Sequence, residues 1–153
     1  MTTKVIDLFC GCGGFSAGFK EAGFEIVCGV DNNKNACETF SYNFGDTAEV
    51  FCQDVNDNID YPQADIIIGS PPCVEFSKGN INRTFDTSLI DKMIQIVEEL
   101  RPKYWVLENV PDAYDYVKAP IKFIADAYNF GAATNRRRLF AGSYPFKKMK
   151  LIK

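Results

Sequence analysis

The stretch GSPPCVEFSKGN, residues 69–80, contains the first group that could do covalent chemistry. Pro71 and Pro72 stiffen the backbone directly before Cys73, and an apolar run at Ala64–Ile68 leads into them. A thiol acts as a nucleophile when a neighbouring group lowers its pKa or accepts its proton. The chain has no histidine, which excludes Cys–His hydrolase chemistry. Taken alone, the stretch fits a reactive thiol and a structural cysteine in a proline turn equally well.

A carboxylate further along the chain favours the reactive interpretation of Cys73. Glu108 lies in VLENV, Val106–Val110, at the end of an apolar segment. We expect this segment to be the strand beside the one that precedes Cys73, so that both side chains project into one pocket. Glutamate is rarely buried without a partner, so packing alone explains its position poorly. Asn109 is interpreted only as the residue that ends the strand.

A glycine cluster forms a second chemical site near the start of the chain. The segment DLFCGCGGFSAGF, Asp7–Phe19, follows an apolar run and opens a helical pattern. Its glycines, Gly11, Gly13 and Gly14, allow a tight turn and a close approach of a ligand to the backbone. A plain strand-to-helix turn would use glycine in the same way, so the cluster is informative only together with its neighbours.

Two acidic residues near this turn fit an adenosine ligand. Asp31 follows Gly11 by 20 residues and ends the second apolar run, where a carboxylate can bind a ribose. Asp54 follows a third run and is placed to meet an adenine ring in the same crevice. Phe15 and Ser16 stand where the dinucleotide pattern G-x-G-x-x-G would continue, which disfavours an NAD- or FAD-dependent oxidoreductase. The pattern favours an adenosine ligand without a pyrophosphate.

Apolar runs alternate with helical patterns along most of the chain. The predicted strands are Lys4–Phe9, Phe24–Val30, Ala48–Cys52, Ala64–Gly69, Tyr104–Leu107 and Arg138–Gly142, and the predicted helices are Phe15–Ala22, Asn33–Asn43 and Thr87–Leu100. Ile121–Tyr128 is left open between a strand and a short helix. The alternation predicts an α/β fold built on a parallel sheet, with ligands at the carboxyl ends of the strands.

Length and composition predict one globular domain without a membrane segment. The chain has 153 residues, a hydrophobic content of 46% and a mean hydropathy of −0.14. No apolar run approaches the roughly 20 residues of a membrane helix, and no signal peptide is recognisable. We therefore expect an intracellular, cytoplasmic protein. The net charge of −3 argues mildly against strong nucleic-acid binding by the isolated chain.

The six cysteines are expected to stay reduced in such a compartment. Cys10 and Cys12 form a C-x-C pair, but the chain offers no second pair and no histidine, which argues against a zinc site. Cys28, Cys37 and Cys52 are predicted to be small buried apolar residues.

Four segments, Asp7–Phe19, Ser70–Ser77, Glu108–Val110 and Asn135–Phe140, together resemble the ordered motifs of the cytosine-5 DNA methyltransferases. The family pattern has a DLF-x-G-x-GG cofactor loop, a proline–cysteine nucleophile loop, ENV and an R-x-R segment. All four occur here in the family's order, within Val5 to Gly142. The resemblance implies a Rossmann-like class I methyltransferase sheet, mostly parallel, with helices on both faces and reduced at its C-terminal end.

The resemblance also implies S-adenosyl-L-methionine as the cofactor and S-adenosyl-L-homocysteine as its product, with no metal. Asp31 would bind the ribose, Asp54 the adenine region, and the loop from Phe9 to Gly14 the methionine end. The full set of expected cofactor-binding residues is Asp7, Phe9, Cys10, Gly11, Gly13, Gly14, Phe15, Asp31, Asn32, Asp54, Val55, Ser70 and Pro72.

The catalytic roles that the resemblance implies are those of methyl transfer to carbon 5 of cytosine in DNA. Cys73 would add to ring carbon 6, and Glu108 would contact ring nitrogen 3 and the exocyclic amine. Arg138, and less directly Arg136, would hold the cytosine oxygen and the local phosphate. Lys78–Thr87 would be the loop that closes over the substrate.

Three departures from the family pattern define what the chain is expected to lack. Thr134 stands where the family has a glutamine, and the stretch from Glu108 to the arginines is short, so that one helix and one strand are expected to be missing or reduced. The chain also continues only briefly after Arg138. We expect a single catalytic and cofactor-binding domain, residues 1–153, without a target-recognition domain.

These departures leave several functions open. The chain could be one part of a split DNA enzyme, an RNA cytosine-5 methyltransferase, or a non-catalytic cofactor-binding or regulatory remnant. The first interpretation requires a second chain or a homo-oligomer to supply recognition. Its docking surface is expected on the apolar residues near the last strands: Ile121, Phe123, Phe130, Leu139, Phe140 and Phe146.

Overall fold

A computed structural model of the chain describes residues 2–72 and 86–145. The strands are β1 (Lys4–Leu8), β2 (Glu25–Asp31), β3 (Glu49–Cys52), β4 (Ile66–Gly69), β5 (Tyr104–Asn109), β6 (Ile121–Asp126) and β7 (Arg137–Ser143). The helices are α1 (Gly14–Glu21), α2 (Lys34–Phe44) and α3 (Ser88–Leu100), with 3-10 helices at Pro111–Asp115 and Ala127–Phe130. Cys73, most of the expected substrate-closing loop and Phe146 lie outside the described residues.

The seven strands form one sheet in the order β3-β2-β1-β4-β5-β7-β6. The first five strands pair in parallel, and β7 runs antiparallel between β5 and β6. The chain proceeds from β1 to one side of the sheet and returns at β4 to the other side. Such a reversal opens a crevice at the carboxyl ends of β1 and β4, where α/β proteins bind ligands. The prediction of a mostly parallel Rossmann-like sheet is confirmed.

Helices cover both faces of the sheet because successive strand residues point to opposite sides. On one face, Ile6 and Leu8 pack in a cluster with Met93 of α3. On the other face, Val5 and Ile68 pack in a second cluster with residues of α1 and α2. The side chain that dominates this second cluster is Phe40, which is fully buried. The predicted arrangement of helices on both faces is therefore confirmed.

The C-terminal end of the sheet is less reduced than the sequence predicts. Both late strands are present, so the expected loss of a strand is wrong, and Ile121–Asp126 is a strand rather than a helix. The reduction affects the helices: the links from β5 to β6 and from β6 to β7 contain only 3-10 helices, Pro111–Asp115 and Ala127–Phe130. Hydrogen bonds of β7 to neighbours on both sides retain β6 in the sheet although no long helix covers it.

Two expectations about burial need correction. Cys28 and Cys37 are buried as predicted, but Cys52 is exposed, because it ends β3 at the edge of the sheet. Leu139 was expected to contribute to an exposed docking surface, yet it is fully buried, since its side chain points to the face that carries α3. No helix in residues 2–72 and 86–145 is long and apolar enough to cross a membrane.

Candidate active site

The glycine loop after β1 uses backbone conformations that glycine adopts without strain. Gly11 has φ of 52° and Gly13, the N-cap of α1, has φ of 89°. A Cβ atom at Gly13 would clash with the ring of Phe44 and lie 3.1 Å from the ring of Phe40. The sequence therefore needs glycine at this position both for its dihedral angle and for the close approach of α2 to the loop.

Asp31 at the end of β2 fixes this loop through its carboxylate. Its Oδ2 atom accepts a hydrogen bond from the N–H of Gly11 at 2.9 Å, and its Oδ1 atom accepts one from Asn33 at 2.8 Å. An ionised carboxylate offers about four acceptor positions, so both oxygens keep capacity for further donors. The 20-residue spacing noted in the sequence thus corresponds to a direct contact between the loop and the acid.

A cavity of about 300 Å³ lies beside this contact. It is lined by Phe9, Val30, Asp31, Asn32, Gln53, Asp54, Val55, Ser70, Pro72 and Leu89. Seven of these residues were predicted to bind the cofactor. Val30, Gln53 and Leu89 were not predicted. Gln53 adjoins Asp54 in the chain, and Leu89 was assigned only to the apolar face of its helix.

The chemistry of the cavity lining fits a nucleoside with a positive charge nearby. The lining contains two carboxylates, Asp31 and Asp54, and no lysine or arginine among its described residues. Hydrogen bonds from the backbone and side chain of Asn56 lower the pKa of Asp54, so this carboxyl group stays ionised near neutral pH. Phe9 provides an aromatic wall, and its φ of 57° is unusual for a residue other than glycine.

The remaining predicted cofactor residues do not line this cavity. Asp7 is 1% exposed, and its Oδ2 atom accepts a hydrogen bond of 2.6 Å from the Ser16 hydroxyl beneath the loop. Its Oδ1 atom is buried without a hydrogen-bond partner among the described residues. Burial raises the pKa of Asp7 to about 7. The structure thus places Asp7 under the loop, with Cys10, Gly11, Gly13, Gly14 and Phe15 around it.

Cys10 is a poor alternative to Cys73 as a nucleophile. It is 7% exposed, and burial raises the pKa of its thiol well above the usual range. A thiol with a raised pKa carries little thiolate near neutral pH. The role of Cys73 therefore remains a prediction that lies outside the described residues.

The predicted catalytic side chains of β5 and β7 meet at the carboxyl edge of the sheet. Nε of Arg138 lies 2.9 Å from Oε1 of Glu108, and the two side chains are 24% and 23% exposed. The pair is accessible to a ligand yet partly shielded from water. Arg136 is exposed, and its backbone carbonyl accepts a hydrogen bond from Ala127.

A cavity of about 340 Å³ lies next to this ion pair. Its lining consists of Phe123, Ala125, Ala127, Phe130, Arg136, Arg138 and Phe140. The walls are aromatic and aliphatic, and the two arginines provide the charged groups. An apolar slot with a few convergent polar groups is the usual form of a small-ligand pocket.

Asn109 has a positioning contact that the sequence analysis missed. Its Nδ2 atom donates to the carbonyl of Pro71 at 3.0 Å, and its Oδ1 atom accepts from the N–H of Val110. Its side chain is 3% exposed. Asn109 therefore ties the end of β5 to the proline turn that leads to Cys73. The only sequence signal was a buried amide directly after Glu108.

The fold and these two adjoining sites define a class I methyltransferase, and comparisons with known proteins identify the family. The chain belongs to the C-5 cytosine-specific DNA methylase family, whose model matches residues 3–149. In the part of the chain that the structure describes, no group of three or more His, Cys, Asp or Glu side chains could hold a metal ion.

Curated relatives are named as type II methyltransferases. The chain is 39% identical to M1.HphI of Haemophilus parahaemolyticus, over 72% of this chain and 33% of that protein. It is 38% identical to M.HgiGI of Herpetosiphon aurantiacus, over 72% of this chain and 92% of that protein. The chain thus spans nearly all of one relative but only about a third of the other.

Solved structures show the same fold. A candidate DNA modification methyltransferase encoded within an E. coli prophage superposes with a TM-score of 0.74 and 29% identity, covering 92% of this chain and 46% of that one. The Dnmt2 methyltransferase of S. pombe superposes with a TM-score of 0.70 and 22% identity, covering 97% of this chain and 53% of that one. At that identity the second match supports the fold alone.

Proposed function

We propose that the chain carries the catalytic and cofactor-binding part of a DNA (cytosine-5)-methyltransferase that uses S-adenosyl-L-methionine. The observation that carries this proposal is the Glu108–Arg138 ion pair beside an apolar cavity, at the same edge of the sheet as the nucleoside-sized cavity at Asp31. The family supports the reaction class. The names of the relatives favour DNA over RNA and an enzyme over a non-catalytic remnant.

The cofactor would be bound in the cavity between β1, β2 and β4. Asp31 would accept hydrogen bonds from the ribose, Asn32 and Asp54 would contact the adenine region, and Phe9 would pack against the ligand. S-adenosyl-L-methionine, when bound, supplies an electrophilic methyl group on a positively charged sulfur. Ser70 and Pro72 line the same cavity and continue towards Cys73, so the nucleophile would follow directly from the cofactor wall.

In the proposed reaction the target cytosine leaves the base stack, because its ring atoms are out of reach inside a duplex. The Cys73 thiolate adds to ring carbon 6, and the electron pair moves through the ring to carbon 5. Carbon 5 takes the methyl group, then loses its proton, and elimination of the Cys73 thiolate restores the aromatic base.

Glu108 and Arg138 would stabilise the electron density that enters the ring. Glu108 would contact ring nitrogen 3 and the exocyclic amine, and Arg138 would contact the ring oxygen. Because their ion pair already fixes both side chains, little reorganisation is needed when the base arrives. Arg136, exposed at the same rim, would bind a phosphate of the extruded nucleotide.

We further propose that sequence recognition depends on a second chain or on a second copy of this one. The net charge of −3 gives the chain a weak electrostatic attraction to phosphates. We expect slow, weakly specific methylation of duplex DNA by the chain alone, with a preference for single-stranded or mismatched cytosines, where extrusion costs less.

The proposal is tested by methyl transfer from labelled cofactor to duplex DNA, single-stranded DNA and RNA. Cys73→Ala should reduce transfer to background while cofactor binding, measured by calorimetry, is retained. Single-stranded DNA that contains 5-fluorocytosine should form a covalent adduct with the unchanged protein, because fluorine at carbon 5 blocks the final elimination.

The matched control is Cys52→Ala, which removes an exposed thiol outside the proposed machinery and should leave transfer unchanged. Near-normal turnover of Cys73→Ala would contradict the covalent mechanism. Transfer to RNA but not to DNA would replace the proposed substrate, and absence of cofactor binding would remove the whole assignment.

A further inference from the structure

The outer edge of β6 offers backbone groups that no other strand of the described residues uses. β6 ends the sheet, with β7 on its inner side only. Exposed strand edges of this kind can pair with another chain unless charge or shape prevents it. Ile124, at the middle of the strand, is 37% exposed, which is unusual for a large apolar side chain in a sheet.

The hydrogen-bonding pattern indicates which residues of β6 face outward. The N–H of Ala127 donates to the carbonyl of Arg136, in the pair that follows the last rung of the ladder between β6 and β7. In an antiparallel ladder, bonded pairs alternate with pairs whose backbone groups point away. Counting back along the strand, the outward-facing residues are Lys122, Ile124 and Asp126.

We propose that two copies of this chain associate through their β6 strands, antiparallel, with the two-fold axis at Ile124. An extended sheet requires that outward-facing residues of one copy meet outward-facing residues of the other. The register centred on Ile124 satisfies this condition. It also places Lys122 of each copy directly opposite Asp126 of the other copy.

Charge complementarity selects this register over its neighbour. The register centred one residue earlier, on Phe123, would set Lys122 opposite Ile124 and leave both charges without a counterpart. In the register centred on Ile124, two symmetric Lys–Asp pairs form on the same face of the sheet. Cross-strand pairs of opposite charge stabilise an antiparallel pairing, and like charges oppose it. A single lysine would otherwise protect the edge from association.

The two side chains have bonding capacity left for this contact. The ammonium of Lys122 has three donors, of which one reaches the carbonyl of Tyr114 at 2.8 Å. The Oδ1 atom of Asp126 accepts from the N–H of Tyr128, while no described residue bonds to its Oδ2 atom. Pairing six-residue strands covers a small area, so the dimer should be weak and concentration-dependent.

The geometry also predicts how the two active sites would be arranged. β6 runs parallel to β5, so the carboxyl end of β6 lies at the edge of the sheet that carries Glu108. Antiparallel pairing of the two β6 strands would place the two sites at opposite edges of one continuous sheet. Each site would therefore keep its own opening for substrate.

Sedimentation velocity of the full chain from micromolar to near-millimolar concentration tests the proposal. Lys122→Asp and Asp126→Lys should each weaken the dimer, by roughly tenfold or more, because each sets like charges opposite one another twice. An equimolar mixture of the two variants should form a heterodimer, since every introduced charge then meets its opposite. Lys34→Asp is the matched control, with the same charge change on an exposed residue of α2, near the other end of the sheet.

Three outcomes would overturn the proposal. The first is a monomer at every concentration, as expected if residues 73–85 or 146–153 cover the edge. The second is a dimer that neither substitution weakens, which would place the contact elsewhere. The third is failure of the mixed variants to associate while circular dichroism shows both to be folded. None of these outcomes depends on methyl transfer, so the proposed function is tested separately.

Discussion

The half of the sheet formed by β1 to β4 differs from the half formed by β5 to β7 in how it presents polar groups. In the first half, backbone N–H groups of Gly11 and Asn33 are fixed by one carboxylate, Asp31, and a helix covers each face. In the second half, a side-chain ion pair, Glu108–Arg138, lies beside an aromatic cavity, and only 3-10 helices follow β5. The comparison indicates a rigid ligand site beside a more open one.

The physical reason for this difference lies in the connections. A strand followed by a regular helix directs its last carbonyls and the N–H groups of the next helix at one point, which suits a ligand of constant structure. A strand followed by an irregular turn leaves side chains to define the site. We infer that the first half serves the cofactor and the second half serves a substrate that must enter and leave.

The largest effect is expected from Glu108→Ala in the second half. It removes a group proposed to stabilise charge in the ring and leaves Arg138 without its partner. We expect methyl transfer to fall by about 10²–10³-fold, with cofactor affinity unchanged in calorimetry. Glu49→Ala, an exposed carboxylate on β3, is the matched control. An equal loss of cofactor affinity would show that the two halves are not separate in function.

A smaller effect is expected from Asp31→Ala in the first half. The substitution removes the acceptor of two backbone N–H groups and of the proposed ribose hydroxyls. Cofactor binding should weaken by about 1–3 kcal/mol, the scale of hydrogen bonds to a charged group. Calorimetry with S-adenosyl-L-homocysteine measures this change, and Asp46→Ala on the exposed surface serves as the control. Unchanged affinity would refute the ribose assignment.

The glycine loop allows a test of rigidity that needs no ligand. Gly13→Ala places a Cβ atom in a left-handed conformation and against Phe44, so the free energy of unfolding should fall by about 1–2 kcal/mol. Gly14→Ala meets no atom within 4 Å and should be neutral or slightly stabilising in the helix. Urea unfolding of both variants distinguishes them. Equal stability would mean that the loop adapts to a side chain.

The most gradual effect concerns pH. Burial raises the pKa of Asp7 to about 7 in the folded protein, from an ordinary value of 3.8. Between these values the folded state binds a proton that the unfolded state does not bind. This group should therefore make the protein less stable as pH rises from about 4 to about 7, by no more than about 1.4 kcal/mol per pH unit.

Asp7→Asn tests this assignment because the amide has no ionised form. Its unfolding free energy, measured in urea across the same pH range, should lack the contribution from Asp7 and exceed that of the unchanged protein above pH 7. The amide oxygen can still accept a hydrogen bond from the Ser16 hydroxyl, which keeps the loop contact. An identical pH dependence in the two proteins would show that Asp7 is not the titrating group.

The parts of the fold that the sequence predicted correctly are those with strong local periodicity. The five parallel strands and three helices follow from short apolar runs and from helical spacing between glycines and prolines. Ile121–Asp126 stayed undecided because six residues of mixed character fit either element. Its strand conformation depends on pairing with β7, which the local sequence does not encode.

Candidate site residues follow the same division. Asp31 and Glu108 were predicted because each ends an apolar strand, and parallel strands bring their carboxyl ends together. Gln53 and Leu89 were missed because they come from segments distant in the chain that approach the same cavity. Cys52 was assigned to the core from its residue type, whereas its position at the end of an edge strand exposes it.

The sequence by itself determined the order of strands and helices, the glycine turn and the residue types available for chemistry. Tertiary structure alone decided that Arg138 faces Glu108, that Asn109 holds the proline turn and that Asp7 is buried under the loop. Periodicity reports which face of an element is apolar, because burial favours apolar side chains locally. Contacts between distant residues depend on strand order and register, which are set by packing of the whole sheet.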